Sequence, residues 1–424
     1  MKVDQEIVET INGMTLHTIE TKKYKTNTFV LKLKAPLTKE DVTKRALLPY
    51  VLQSATSSYP STSKLRSYLD ELYGASLNVD LSKKGEYHII TIRIEIANET
   101  YLTDQTPLLE KGLNLLAEII LNPLRINQAF ESSIVEKEKR SLIQRIQAVY
   151  DDKMRYANLR LVEEMCKNEP YSLHVNGEKE DVASITPELL YEYYQKAIKE
   201  DEIDLYIVGD VDSNTIRNLA SRLFTIENRH PTFITESNVR VVKEKEVIEQ
   251  QDVKQGKLNI GYRTNTKYQD QEYPALQVFN GIFGGFSHSK LFINVREKAS
   301  LAYYAASRVE SHKGLLMVMS GVDAKNYHQA VTIINEQMKA MENGDFSDQE
   351  IEQTKAVLIN QILEAIDTPR GLVEILYNEV VGKVKESIES SLTRIGQVTR
   401  NEIVHVANKI ELDTIYFLKG KEEV

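Results

Sequence analysis

Apolar residues alternate with polar ones, or run on with β-branched ones, through Thr28–Ala35 (TFVLKLKA) and His88–Ile96 (HIITIRIEI). That is the period-two pattern of strands. In Pro107–Pro123 (PLLEKGLNLLAEIILNP), and again from Ser132 to Val149, the apolar positions recur every three to four residues, which predicts helices. Asp204–Val211 (DLYIVGDV) reads as a further strand. Strands and helices interleave without a regular βαβ rhythm. The pattern therefore predicts α+β domains, with helices packed on one face of a mostly antiparallel sheet.

The second half of the chain repeats the first. STSKL at Ser61 returns as SHSKL at Ser287, and EKEKRSLIQRI at Glu136 as EQTKAVLINQI at Glu352. KKGEYHIITI at Lys83 answers HKGLLMVMSG at His312, and ITPELLYEYYQKAIKEDEIDLYIVG at Ile185 answers VTRNEIVHVANKIELDTIYFLKG at Val398. The matches keep their order at offsets of 213 to 229 residues. A period that long means two copies of a whole domain, not a solenoid of units of ~20–50 residues. The polar, proline-containing stretch Thr225–Glu246 has little periodicity and reads as the linker, giving domains at 1–224 and 247–424.

Composition narrows the function classes. Apolar content of 42% with 27% charged residues is that of an ordinary globular protein. The net charge of -9 argues against sequence-independent binding to nucleic acid or to an anionic membrane, both of which need a basic face. The single cysteine, Cys166, excludes an internal disulfide framework and is read as a helical packing residue. The first twenty residues lack the apolar run of a secretory signal, and no stretch approaches the ~18 apolar residues of a membrane span. A cytoplasmic protein is the expectation.

Several landmarks resemble the insulinase-like (pitrilysin, M16) metallopeptidase family over nearly the whole chain. Gly74–Asn78 (GASLN) is similar to the family's Gly-Gly-x-x-Asn turn, and Pro170–Thr186 to its Pro-Tyr segment. Phe279–Arg308 (FNGIFGGFSHSKLFINVREKASLAYYAASR) resembles the second-domain signature and is the most specific of these matches. The resemblance implies two homologous domains related by a pseudo-twofold and facing each other across a clamshell cavity.

In that family an inverted His-x-x-Glu-His motif opens a helix whose histidines bind zinc and whose glutamate activates water. Laid over Ala46–Thr56 (ALLPYVLQSAT), the motif falls on Pro49 to Gln53. Pro49 and Leu52 have no ligand atoms, and Gln53 is a weak neutral donor. The family's third ligand is a glutamate seven residues after the position of Glu138, and here that residue is Arg145, whose guanidinium repels a metal. The resemblance therefore implies the fold without the zinc and without catalysis by this chain alone.

No pair among the 8 histidines has the spacing of a His-x-x-x-His face. GFSHS (Gly285–Ser289) lacks the second glycine of a nucleophile elbow, so a helix cap at Ser287 or Ser289 is the simpler reading. Gly284-Gly285 has no following Lys-Ser/Thr and is not a phosphate loop.

What survives is Arg296 and Tyr303, which match the substrate-contacting pair of the family's second domain. A guanidinium and a phenol suit a peptide carbonyl and a developing oxyanion, although an arginine paired with Glu297 and a half-buried tyrosine would be purely structural. Some bacterial members work as heterodimers in which a zinc-less subunit carries this pair. The chain resembles that zinc-less branch, known in Firmicutes, and the expected partner is a zinc-motif M16 paralogue acting on an unstructured peptide. A stand-alone peptide-binding protein, an architectural subunit and a hydrolase of unrecognised type remain as alternatives.

Overall fold

The computed structural model describes residues 5–103, 106–226, 229–234 and 243–420. It divides into two compact units, one of residues 1–148 and 173–235, the other of 149–172 and 236–424.

The first unit is built on a six-stranded sheet. Its strands are β1 (Glu6–Ile11), β2 (Met14–Glu20), β3 (Thr26–Pro36), β4 (Ser76–Lys84), β5 (Tyr87–Ala97) and β8 (Glu202–Gly209), in the order β1-β2-β8-β3-β5-β4. A short pair, β6 (Arg125–Ile126) with β7 (Ala129–Phe130), stands apart. All neighbours are antiparallel except β2 and β8. The helices are α1 (Val42–Leu52), α2 (Thr62–Glu71), α3 (Leu108–Leu121), α4 (Ser132–Asp151), α6 (Lys179–Val182), α7 (Pro187–Glu200) and α8 (Ser213–Leu223). α1, α3, α7 and α8 pack on the sheet, whose Phe29, Leu31, Leu33, Ile90, Ile92 and Ile94 belong to one core with Leu47, Leu116 and Ile120.

The second unit repeats this plan. Its strands β9 (Lys245–Gln251), β10 (Gly256–Arg263), β11 (Ala302–Glu310), β12 (Leu315–Val322) and β13 (Glu411–Gly420) lie in the order β11-β12-β10-β13-β9. The one parallel pair is β13 with β9. Read from the other edge, this is strand for strand the order β2-β8-β3-β5-β4, with the parallel pair in the same place. Capping agrees as well: Thr186 accepts from the Leu189 amide at the start of α7, and Thr399, 213 residues on, accepts from the Glu402 amide at the start of α14 (Arg400–Ala407). The duplication read from sequence is thus a duplication of topology. Helices α9 (Tyr273–Asn280), α10 (Tyr327–Asn343), α11 (Asp348–Ile366), α12 (Pro369–Gly382) and α13 (Ile388–Gln397) complete this unit, with two wide-turned π segments at Gly281–Gly285 and Phe292–Lys298.

One segment lies outside the sequence boundaries. Residues 149–172, carrying α5 (Lys153–Met165), belong to the second unit although they precede Thr186. The reason is a second face on the second sheet: Leu316, Val318 and Phe417 join one core, while Leu315, Met317, Tyr416 and Leu418 point the other way and pack against Tyr156, Leu161 and Met165 of α5. Buried Arg263 fastens the end of this segment, donating to both carboxylate oxygens of Glu169 at 2.6 and 3.1 Å, to Asp413 at 2.8 Å and to the Met165 carbonyl at 2.9 Å. The expected linker 225–246 lies partly outside the described residues. Of its remainder, Arg229, His230 and Thr232 hydrogen-bond to carbonyls of the first unit, and Lys245 opens β9.

Strand β1 has no counterpart among the described residues of the second unit, and it is tied down by an ionised histidine. His17 on β2, 2% exposed, meets Glu6 of β1 through Nδ1 at 2.7 Å and Asp204 of β8 through Nε2 at 3.1 Å, and stacks on Tyr206 at 4.1 Å. Both nitrogens face carboxylate oxygens, so both donate and the ring is an imidazolium. Burial alone would lower its pKa, but the two acids outweigh burial and hold it above the usual value. A raised folded-state pKa contributes stability in full below the unfolded value, about 6.5, and loses it as pH rises through the folded value. His17→Gln is therefore expected to flatten the fall in melting temperature on the alkaline side of about pH 6.5, read from thermal melts over a pH series. An unchanged profile would remove the charge from His17.

Candidate functional site

The positions onto which the sequence places the zinc motif lie on α1 and α4 of the first unit. Helix α1 starts earlier and stops sooner than Ala46–Thr56: it runs Val42–Leu52, and Gln53 is already its C-cap. Pro49 and Leu52 lie on its buried face and present hydrocarbon. On α4 the buried stripe is Val135, Glu138, Leu142 and Ile146, with Arg145 on its flank two turns beyond Glu138. The Arg145 guanidinium carbon lies 3.5 Å from the centre of the Tyr50 ring, a flat cation–π stack. Glu138 is buried, accepts from the Ser54 hydroxyl at 3.3 Å and pairs with Lys137 at 3.3 Å.

The electrostatics follow from this packing. Burial lowers the pKa of Arg145, while Tyr50 and Glu138 oppose the shift. Burial raises that of Tyr50, Arg145 opposes, and Asp80 and Glu138 add to the rise. A dication placed here would meet hydrocarbon from α1 and like charge from α4, so these residues do not fit zinc. Among the described residues no three His, Cys, Asp or Glu side chains gather into a possible metal site. Elemental analysis of the dialysed protein is expected to give far less than one zinc per chain, and Arg145→Glu, which restores one ligand of three, is expected to leave it so. Stoichiometric zinc in either protein would overturn this account.

The sequence reading passed over Tyr50, which fell on an unassigned position of the motif. An aromatic residue one turn-step from Pro49, together with an arginine in a ligand's place, was the available signal.

Arg296 and Tyr303 sit on adjoining elements of the second unit. Arg296 is in the π segment Phe292–Lys298, exposed, with its guanidinium carbon 4.6 Å from the Phe292 ring centre one turn back. Ser300 turns the chain with φ of 52°, and β11, against which the π segment packs, begins two residues later. Its pairing with β12 breaks register between Ala302 and Ala305, and Tyr303 in that break is 82% exposed. Such irregularities re-aim side chains, and π segments concentrate at functional sites. Neither Arg296 nor Tyr303 has a hydrogen-bond or ion-pair partner among the described residues, so the pairing with Glu297 does not form.

The remaining candidates are structural. The Ser289 hydroxyl accepts from the Phe292 amide at 3.4 Å, the cap expected at Ser287 or Ser289. A Cβ at Gly284 would stand 2.8 Å from the Ser307 amide, so this glycine serves close packing. Cys166 is buried, and burial first, then Glu169, pushes its thiol up to about 12, which leaves it inert. Burial lowers His174 to about 4. No helix among the described residues is long and apolar enough to cross a membrane.

Comparison with known proteins decides the family. The chain is 61% identical to the "probable inactive metalloprotease YmfF" of Bacillus subtilis (strain 168) over 423 residues, covering 100% of this chain and 99% of that one. This protein belongs to the M16 peptidase family. The family pattern described as the Peptidase M16 inactive domain matches residues 184–358. A conserved protein from Enterococcus faecalis V583 superposes with a TM-score of 0.92 at 37% identity, over 99% of each chain. A protease from Helicobacter pylori shares the fold, with a TM-score of 0.81 at 15% identity over 98% of this chain and 100% of that one. The chain is thus an M16 homologue similar to a probable inactive metalloprotease.

Proposed function

We propose that this chain is the non-catalytic subunit of a heterodimeric M16-type peptidase, completing a peptide-binding chamber and supplying Arg296 and Tyr303 to the zinc site of a partner. The contrast between its two units carries the reading. Pro49 and Leu52 of the first unit are closed by packing and Arg145 is stacked on Tyr50, whereas Arg296 and Tyr303 in the second are exposed and hydrogen-bond to nothing described. An idle guanidinium and phenol on a fixed turn are donors awaiting an acceptor. The partner would be a zinc-motif M16 paralogue, the zinc would belong to that partner, and the substrate would be an unstructured peptide in the cytoplasm. The test is reconstitution: the partner alone cleaves peptide slowly, the mixture cleaves it fast, and chelation abolishes the gain. Activity of the partner that is indifferent to this chain would sink the proposal.

A second reading has its own support. The outer edge of β4 is unpaired among the described residues, and Ser76, Asn78 and Asp80 point outward in alternation. A free edge of this kind can take an extended peptide by strand addition, with or without cleavage elsewhere.

A further inference from the structure

The guanidinium at the family's third ligand position does more than exclude a metal. Its Nε and Nη2 atoms are both buried and have no hydrogen-bond partner. These two nitrogens form one edge of the planar group, with parallel N–H bonds spaced to meet the two oxygens of a carboxylate. The contact with the Tyr50 ring satisfies neither donor. The nearest acid named in its electrostatics, Glu138, is already engaged by Ser54 and Lys137. Where they stand the donors are shielded from water, yet the Arg145 side chain as a whole is half-exposed. A turn about its outer torsions would bring the fork to solvent while α4 stays packed, and the unmade hydrogen bonds favour such a turn.

We propose that Arg145, steadied by Tyr50, is a receptor for a carboxylate: the free C-terminal carboxylate of an extended peptide lying along the edge of β4. This rests on the strand-addition reading and deepens it. The neighbourhood selects the ligand. α1 packs against β4, and Asp80, exposed on β4, acts on Tyr50, which puts the Arg145–Tyr50 stack in the neighbourhood of that strand. Asp80 and Glu138 make the surroundings hostile to a polyanion. A single carboxylate, whose peptide backbone is held by the strand edge, brings one negative charge, matched by the one guanidinium. The chain would then hold peptide ends, the products of cleavage, at the place where its relatives hold zinc.

The test uses the isolated full chain and a short, N-terminally labelled alanine–valine peptide, as the free acid and as the C-terminal amide, followed by fluorescence anisotropy. The free acid is expected to bind at least about tenfold tighter, the worth of one charge-assisted bond. Arg145→Gln abolishes the difference. Arg145→Lys, which keeps the charge but has no fork, abolishes most of it, and circular dichroism verifies that both variants fold. Equal binding of acid and amide overturns the carboxylate receptor and leaves strand addition standing. A preference that survives in Arg145→Gln overturns it too, by placing the carboxylate elsewhere. Binding of neither peptide overturns both, while the heterodimer is decided separately by reconstitution.

Discussion

In a complex reconstituted with a zinc-bearing relative, Tyr303→Phe is expected to lose roughly 10²–10³ in kcat, the usual effect of deleting one oxyanion donor. The substitution removes only the hydroxyl. Tyr303 is 82% exposed and its hydroxyl bonds to nothing described, so the fold does not depend on that oxygen. Association of the subunits, measured by sedimentation, is expected to be unchanged. Arg296→Ala is expected to cost at least as much, because it removes a charged donor and also the cover it gives Phe292. The split between kcat and KM discriminates further: a donor used only at the transition state lowers kcat and kcat/KM together. Two variants that assemble and cleave at the wild-type rate would make these residues structural.

Glu169→Ala is expected to destabilise the second unit by about 3–5 kcal/mol, the range for breaking a buried ion pair from one side. Glu169 is 8% exposed and lies between Arg263 and the Lys313 ammonium, 2.6 Å away. Burial alone would raise its pKa, but the two cations hold it below the ordinary carboxylate value. Alanine leaves both cations buried with less to neutralise them, and only Asp413 remains beside Arg263. Urea unfolding followed by the fluorescence of a label on the second unit gives the loss. A change below about 1 kcal/mol would mean that solvent reaches the pair and screens it.

Much of the fold was legible because period two and period 3.6 are strong signals in long segments. β3, β5, α3 and α4 fall within about two residues of the sequence reading. What the pattern does not show is a residue's environment where distant chain sets it. Lys32 and Lys34 alternate with Phe29, Leu31 and Leu33, and nothing in that alternation shows that both are 1% exposed. Lys34 meets Glu202 of β8 at 3.1 Å and lies over Tyr87, partners that are remote in sequence. α5 was invisible as part of the second unit for the same reason: its apolar face shows that it packs, not on which sheet. At the candidate sites, loss of ligand chemistry at Pro49, Leu52 and Arg145 was plain from residue types. The stack on Tyr50 and the exposure of Tyr303 were not, because both depend on how a turn or helix end is aimed.

The interior place of β13, the last strand of the described chain, has a bearing on how this protein is made. β13 lies between β10 and β9, so β9 has no neighbour in the second sheet until Glu411–Gly420 have been synthesised. α5 is made some 250 residues earlier, and the surface it covers includes Tyr416 and Leu418. Tyr156, Leu161 and Met165 can meet β10 and β12 earlier, but the part of their cover supplied by Tyr416 and Leu418 comes last, and until then some apolar surface stays open to misassociation. The first sheet is complete once β8 has emerged, long before the second can close. The nascent chain thus passes through a stage in which one unit is folded and the other cannot yet be, and Val149–Ser172 is the segment that stage leaves partly uncovered.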